Sequence, residues 1–121
     1  MLGRAIGIVS NNSRSAIEAY VRLHELGEYV DFIAARDTAD PSKLKPAPHL
    51  LDKAIKGVGV SLSRCTFVGD STTDIQAAKR SSVKSVAFAN KAAKLATLAS
   101  KMPDAMVTSM DRFLPASRHL Q

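Results

Sequence analysis

The 121-residue sequence has a single cysteine, no tryptophan, and only four phenylalanines and two tyrosines as aromatics. Each scarcity excludes something. Cys65 alone cannot close an internal disulfide, and in the apolar run Cys65-Thr66-Phe67-Val68 it reads as a buried structural thiol. Long hydrophobic runs are missing too: no stretch approaches the ~20 apolar residues that a membrane-spanning helix needs, so no membrane partner is expected. The segment Met1-Leu2-Gly3-Arg4-Ala5-Ile6 runs straight into a strand-like stretch, without the apolar region and small-residue cleavage site of an export signal. A cytoplasmic setting is the expectation. Acidic residues are outnumbered 11 to 17, for a formal net charge of +6. The basic residues are scattered singly rather than gathered in a block, and there are few aromatics on which bases could stack, so no nucleic-acid partner is expected.

Short apolar runs alternate with longer amphipathic segments, the pattern of a parallel α/β sheet. Arg4 to Val9 reads as a first strand, followed by the polar turn Ser10-Asn11-Asn12-Ser13. A helix is expected next, opened by a capping box at Ser15-x-x-Glu18 and closed at Gly27. Val30 to Ala34 reads as a second strand. Residues from Arg36 to Pro48 include three prolines and read as a functional loop. A helix from His49 to Lys56 precedes the Gly57-Val58-Gly59 break. Cys65 to Val68 reads as a third strand, with a helix through Thr73 to Arg80 capped at Ser71-x-x-Asp74. Val83 to Phe88 reads as a fourth strand, Lys91 to Lys101 as a helix and Asp104 to Thr108 as a short last strand. Ser109 is placed as the cap of a final turn through Phe113. Nothing divides the 121 residues into two domains.

In open α/β sheets, ligands bind beyond the carboxyl ends of the strands. Ser10 and Asn11 follow the first strand, Lys45 lies in the loop after the second, and Asp70 and Asp74 follow the third. A hydroxyl, an ammonium and two carboxylates near helix N-termini suit a phosphate and a hard cation, and hence phosphoryl transfer. Each residue also has a plainer reading. Ser10 and Ser71 suit helix N-caps, an isolated Lys45 suits a solvated loop, and carboxylates at 70 and 74 are favoured by a helix dipole alone. His24, His49 and His119 show no metal-ligand spacing.

The segments Ile6-Gly7-Ile8-Val9-Ser10-Asn11, Lys43-Leu44-Lys45-Pro46-Ala47-Pro48 and Phe67-Val68-Gly69-Asp70-Ser71-Thr72-Thr73-Asp74-Ile75 resemble, in order and spacing, the second, third and fourth motifs of the haloacid-dehalogenase-like (HAD) hydrolases. The resemblance runs from about Arg4 to Leu114 and is nearest the phosphoglycolate-phosphatase-like branch. It implies a three-layer α/β/α, Rossmann-like parallel-sheet core and Mg²⁺-dependent hydrolysis of a small phosphorylated metabolite. By the same resemblance Ser10, Asn11 and Lys45 would bind the phosphoryl group, Asp70 and Asp74 would serve the Mg²⁺, and Lys45, Asp70 and Asp74 would be the catalytic set.

One departure stands out. The family's attacking group lies in an Asp-x-Asp at the end of a first strand, and no Asp-x-Asp occurs in these 121 residues. The expectation is therefore a single partial domain over residues 1–121, a carboxy-terminal piece of the core that begins part-way through a structural unit. It would lack the first (motif I) strand and the cap that selects substrates. Such a fragment would have little or no turnover alone; the alternative is a non-catalytic phosphate-binding or interaction module of the same fold. With a central strand missing, the Ala5–Val9 and Cys65–Val68 strands are expected to pair directly. Otherwise self-association or a complementing N-terminal segment would fill the place. Ser81-Ser82 stands at a helix-to-strand corner where glycine would be easier.

Overall fold

The computed structural model describes residues 4–109. Along the chain come strand β1 (Gly7–Ser13), helix α1 (Arg14–Leu23), β2 (Phe32–Arg36), α2 (His49–Val58), β3 (Thr66–Gly69), α3 (Thr72–Arg80), β4 (Lys84–Phe88), α4 (Lys94–Ala99) and β5 (Ala105–Val107). Every strand pairing is parallel, in two ladders, β1–β2 and β3–β4–β5. The expectation of a core lacking its first strand is corrected: β1 opens a set of five parallel strands among the described residues. That expectation rested on a missing acidic signature, whereas strand pairing depends on backbone groups and apolar side chains. The expected direct pairing of the two apolar strands is corrected as well, since β1 bonds only β2 and β3 bonds only β4. Side chains join the two ladders instead. Val9 of β1, Leu51 and Ile55 of α2, Phe67 of β3, and Ala77 and Ala78 of α3 form one apolar cluster.

Two further clusters complete the core. Ala34, Leu50 and Ala54 pack with Val9, Phe32 and Leu44 under α2. Ile75, Ala87, Ala89 and Leu98 pack with Met106 beside β5. Leu50, Ile75 and Leu98 are the bulkiest fully buried side chains, each worth roughly 1.5–3 kcal/mol of burial. Among the described residues no helix is long and apolar enough to cross a membrane.

Element ends follow local chemistry, and several differ from the sequence expectation. The first helix is capped by Ser13, whose Oγ accepts from Ala16 N, rather than by Ser15. It stops at His24, before Gly27, which starts a short 3₁₀ turn. Gly59 closes α2 at φ 71, the left-handed conformation that glycine adopts without a Cβ penalty. The expected capping box of α3 is present, with Ser71 and Asp74 bonding one another's backbone N–H groups. Ser82, at the corner into β4, is held at φ 59. The helix expected from Lys91 is shorter, Lys94–Ala99. The turn expected from Ser109 to Phe113 lies mostly outside the described residues.

Candidate functional site

The geometry of the site begins with a register irregularity. Val9 pairs with Ala34 and Ser13 with Arg36, so β1 advances four residues where β2 advances two. The surplus takes Ser10 and Asn11 out of the ladder at its carboxyl end, which is how a bulge re-aims side chains. Asn11 uses its freedom to clasp the loop after β2. Its Oδ1 accepts from Lys45 N at 2.9 Å and its Nδ2 donates to Lys45 O at 3.3 Å. Asn11 thus fixes the backbone of Lys45, a role the sequence did not disclose. Ser10 Oγ accepts from Asn12 N at 3.1 Å, which leaves its hydroxyl proton available to donate.

Lys45 reaches across both ladders. Its Nζ donates to Val9 O at 3.3 Å and to Asp74 Oδ1 at 2.5 Å. Both side chains of this ion pair are about nine-tenths buried. The Phe67 ring lies 5.7 Å below the ammonium, within cation–π range. Two of three N–H groups are therefore committed, and the third is open to a ligand among the described residues.

Asp74 is fully engaged. Beyond the bond from Lys45, its Oδ2 accepts from Asp70 N at 3.1 Å and Ser71 N at 3.3 Å. That approach needs Gly69, where a Cβ would fall 2.3 Å from Asp74 Cβ. The glycine before Asp70 is there so that the α3 carboxylate can close over the strand end. Asp70 itself is exposed, its side chain 52% accessible, with Lys94 Nζ 3.7 Å from Oδ2. Lys94 also donates to Asp70 O at 3.2 Å. Nothing in the sequence singled out Lys94, one of several lysines in an Ala- and Leu-rich segment.

A chain of contacts thus runs from Val9 and Asn11 through Lys45 and Asp74 to Asp70 at the carboxyl ends of β1 and β3. Ser71 and Thr73 belong to the start of α3, where their hydroxyls bond each other at 3.0 Å. Among the described residues no three acidic, His or Cys side chains are grouped to hold a metal ion. The donor chemistry still fits Mg²⁺ at Asp70, because this ion is commonly held by one or two carboxylates, waters and substrate phosphate. Asp74, whose Oδ1 accepts from Lys45 and whose Oδ2 accepts from two backbone N–H groups, lies beside it in the first turn of α3.

A third group of charges lies on the same loop. Asp37 accepts from Lys53 Nζ at 2.6 Å and sits 3.0 Å from His49 Nε2. The bond from Lys53, then that from His49, lowers the Asp37 carboxyl from 3.8 to about 2. Asp37 follows β2 and both partners are on α2, so this cluster ties the two ends of the loop that carries Lys45.

The family model of haloacid dehalogenase-like hydrolases matches residues 2–88. The chain belongs to that family. Pyrophosphatase PpaX of Bacillus cereus is 30% identical over 113 residues, covering 93% of this chain and 51% of the relative. A HAD-superfamily hydrolase of subfamily IA from Geobacter sulfurreducens superposes with a TM-score of 0.61 at 28% identity, over 69% of this chain and 39% of its own. A haloacid dehalogenase-like protein from Agrobacterium tumefaciens shares the fold at a TM-score of 0.79 and 20% identity, over 98% of this chain and 54% of its own. The chain spans about half the length of the curated relatives it matches. The match from residue 2 includes β1, and it corrects the expectation of a carboxy-terminal piece missing the family's first strand. The same finding, with the similarity to a pyrophosphatase, overturns the expectations of an inactive fragment and of a non-catalytic module at the level of the family, since what residues 2–88 match is a hydrolase model.

Proposed function

We propose that this chain acts as a HAD-like phosphohydrolase on a small phosphorylated substrate, with the phosphoryl group seated at the carboxyl ends of β1 and β3. The observation that carries this reading is the placement of Lys45. A buried ammonium is held between Val9 O and Asp74, one donor open, next to the out-of-ladder Ser10. Ser10 Oγ–H and the free Lys45 N–H donate to phosphoryl oxygens, and the fixed positive charge stabilises negative charge that develops during transfer. Asp74 holds the Lys45 ammonium in place through the bond to Oδ1. Asn11 acts through the Lys45 backbone. Asp70 would hold Mg²⁺, which supplies further charge neutralisation when bound. No Asp-x-Asp occurs in the 121 residues, so the roles assigned are holding and neutralising the phosphoryl group. The similarity to a pyrophosphatase supports a phosphorylated substrate of small size.

The test measures phosphate release from pyrophosphate and an aryl phosphate with Mg²⁺, alongside calorimetric binding of orthophosphate. Ser10→Ala is the informative variant because Ser10 caps no helix and the one bond it loses, from Asn12 N, is exposed, so its folding should stay close to that of the unsubstituted chain. We expect weaker orthophosphate binding and slower release in Ser10→Ala, with at most a small drop in melting temperature from the lost Asn12 bond. If the unsubstituted chain shows neither release nor binding, or if Ser10→Ala leaves both untouched, the reading is wrong.

A further inference from the structure

Lys94 stands where helix electrostatics disfavours it. It is the first residue of α4, whose first turn contains no acidic residue, and a helix N-terminus repels a cation. What offsets this is Asp70, which offers its backbone carbonyl at 3.2 Å and a carboxylate oxygen at 3.7 Å. The Asp70 carboxylate accepts no hydrogen bond from the other described residues, whereas Asp74 next to it accepts three. Asp70 and Lys94 also line one shallow cavity of about 170 Å³ with Ser71, Thr72, Thr97 and Leu98, several times the room one water needs. The exposed carboxylate at the strand end thus has a resident counter-cation, delivered from a different element.

We propose that Lys94 sets the site's affinity for a divalent cation by competing with it for the Asp70 carboxylate. The inference rests on the reading of Asp70 as the Mg²⁺ ligand. A cation arriving at Oδ2 displaces the ammonium, which keeps its bond to Asp70 O and stays beside the cavity. No bond is made or broken covalently and no proton moves; one cation replaces another at a single carboxylate. Lys94 is therefore a positioning residue that acts through Asp70.

The experiment is a calorimetric titration of the full chain with Mg²⁺ alone, without substrate, for the unsubstituted protein, Lys94→Gln, Lys94→Arg and Asp70→Asn. Lys94→Gln should tighten Mg²⁺ binding about two- to five-fold, the change that coupling in an exposed ion pair corresponds to. Lys94→Arg, which keeps the charge, should stay near the unsubstituted value, and added salt should shrink the advantage of Lys94→Gln. Asp70→Asn should abolish binding. Loss of binding in Asp70→Asn with Lys94→Gln unchanged or weaker would overturn the role given to Lys94 and leave the Asp70 assignment standing. Binding in Asp70→Asn equal to that of the unsubstituted chain would instead overturn the Asp70 assignment, and the competition with it. Melting temperatures report folding separately, since Lys94 is partly exposed and its loss opens no core.

Discussion

Two carboxylates, Asp74 in the first turn of α3 and Asp37 just after β2, carry opposite burdens. Asp74 is buried with Lys45, and removing one member of such a pair leaves the other charge desolvated, at about 3–5 kcal/mol. Asp74→Ala should therefore lower unfolding free energy in urea by about 3 kcal/mol or more. Asp74→Asn should cost less, because its carbonyl can still accept from the Asp70 and Ser71 N–H groups. Equal losses would mean that the capping bonds add nothing. Asp37 is more exposed and its effect shows in pH. Its folded pKa, lowered to about 2 by Lys53 and then His49, lies below the ordinary 3.8. The stability it contributes is thus fully present above about pH 4 and is lost as pH falls through about 2. Thermal melts should show Asp37→Asn less stable than the unsubstituted chain at pH 6, with the difference closing by pH 2. A difference that persists undiminished at pH 2 would refute this linkage.

At the scale of elements, the corner Ser81-Ser82 offers a test of backbone strain. Ser82 at φ 59 pays the penalty of a Cβ in the left-handed region. Ser82→Gly should stabilise by up to about 1 kcal/mol in urea titrations, the relief being partly offset by the greater freedom of unfolded glycine. A destabilised Ser82→Gly would show that the serine is held by something other than its backbone. The strand edges make a second prediction. β1 and β3 each pair through one side only among the described residues, and an unpaired ladder edge is a template for association. Light scattering should therefore show mass rising with concentration into the high micromolar range, and a strictly constant monomer mass would contradict this.

For the molecule as a whole, the placement of the candidate site residues was legible because it depends on strand-end position. The alternation of apolar runs locates the strand ends, and Ser10, Lys45, Asp70 and Asp74 follow from them. The α3 capping box could be read off directly, since Ser71 and Asp74 are three residues apart and the box closes within one turn. The rest depended on what meets in space. The cap of α1 moved from Ser15 to Ser13 because β1 continues past its apolar residues. The clasp of Asn11 on Lys45 spans 34 residues, and the contact of Lys94 with Asp70 joins two elements with no shared spacing. The absent Asp-x-Asp misled the reading of the strand set, because a chemical signature says nothing about whether the strands around it pair.

The central claim is that phosphate binds where Ser10, Asn11, Lys45 and Asp70 meet. Backbone amide NMR shifts during titration with orthophosphate in the presence of Mg²⁺ test it most directly, since they map the site residue by residue. The account predicts the largest shifts at 10–11, 45 and 69–73, saturating together, and weakened by Ser10→Ala. Shifts centred instead on the open cavity beside α1 and β2, lined by Arg14, Val30 and Phe32, or no saturable shifts at all, would contradict it.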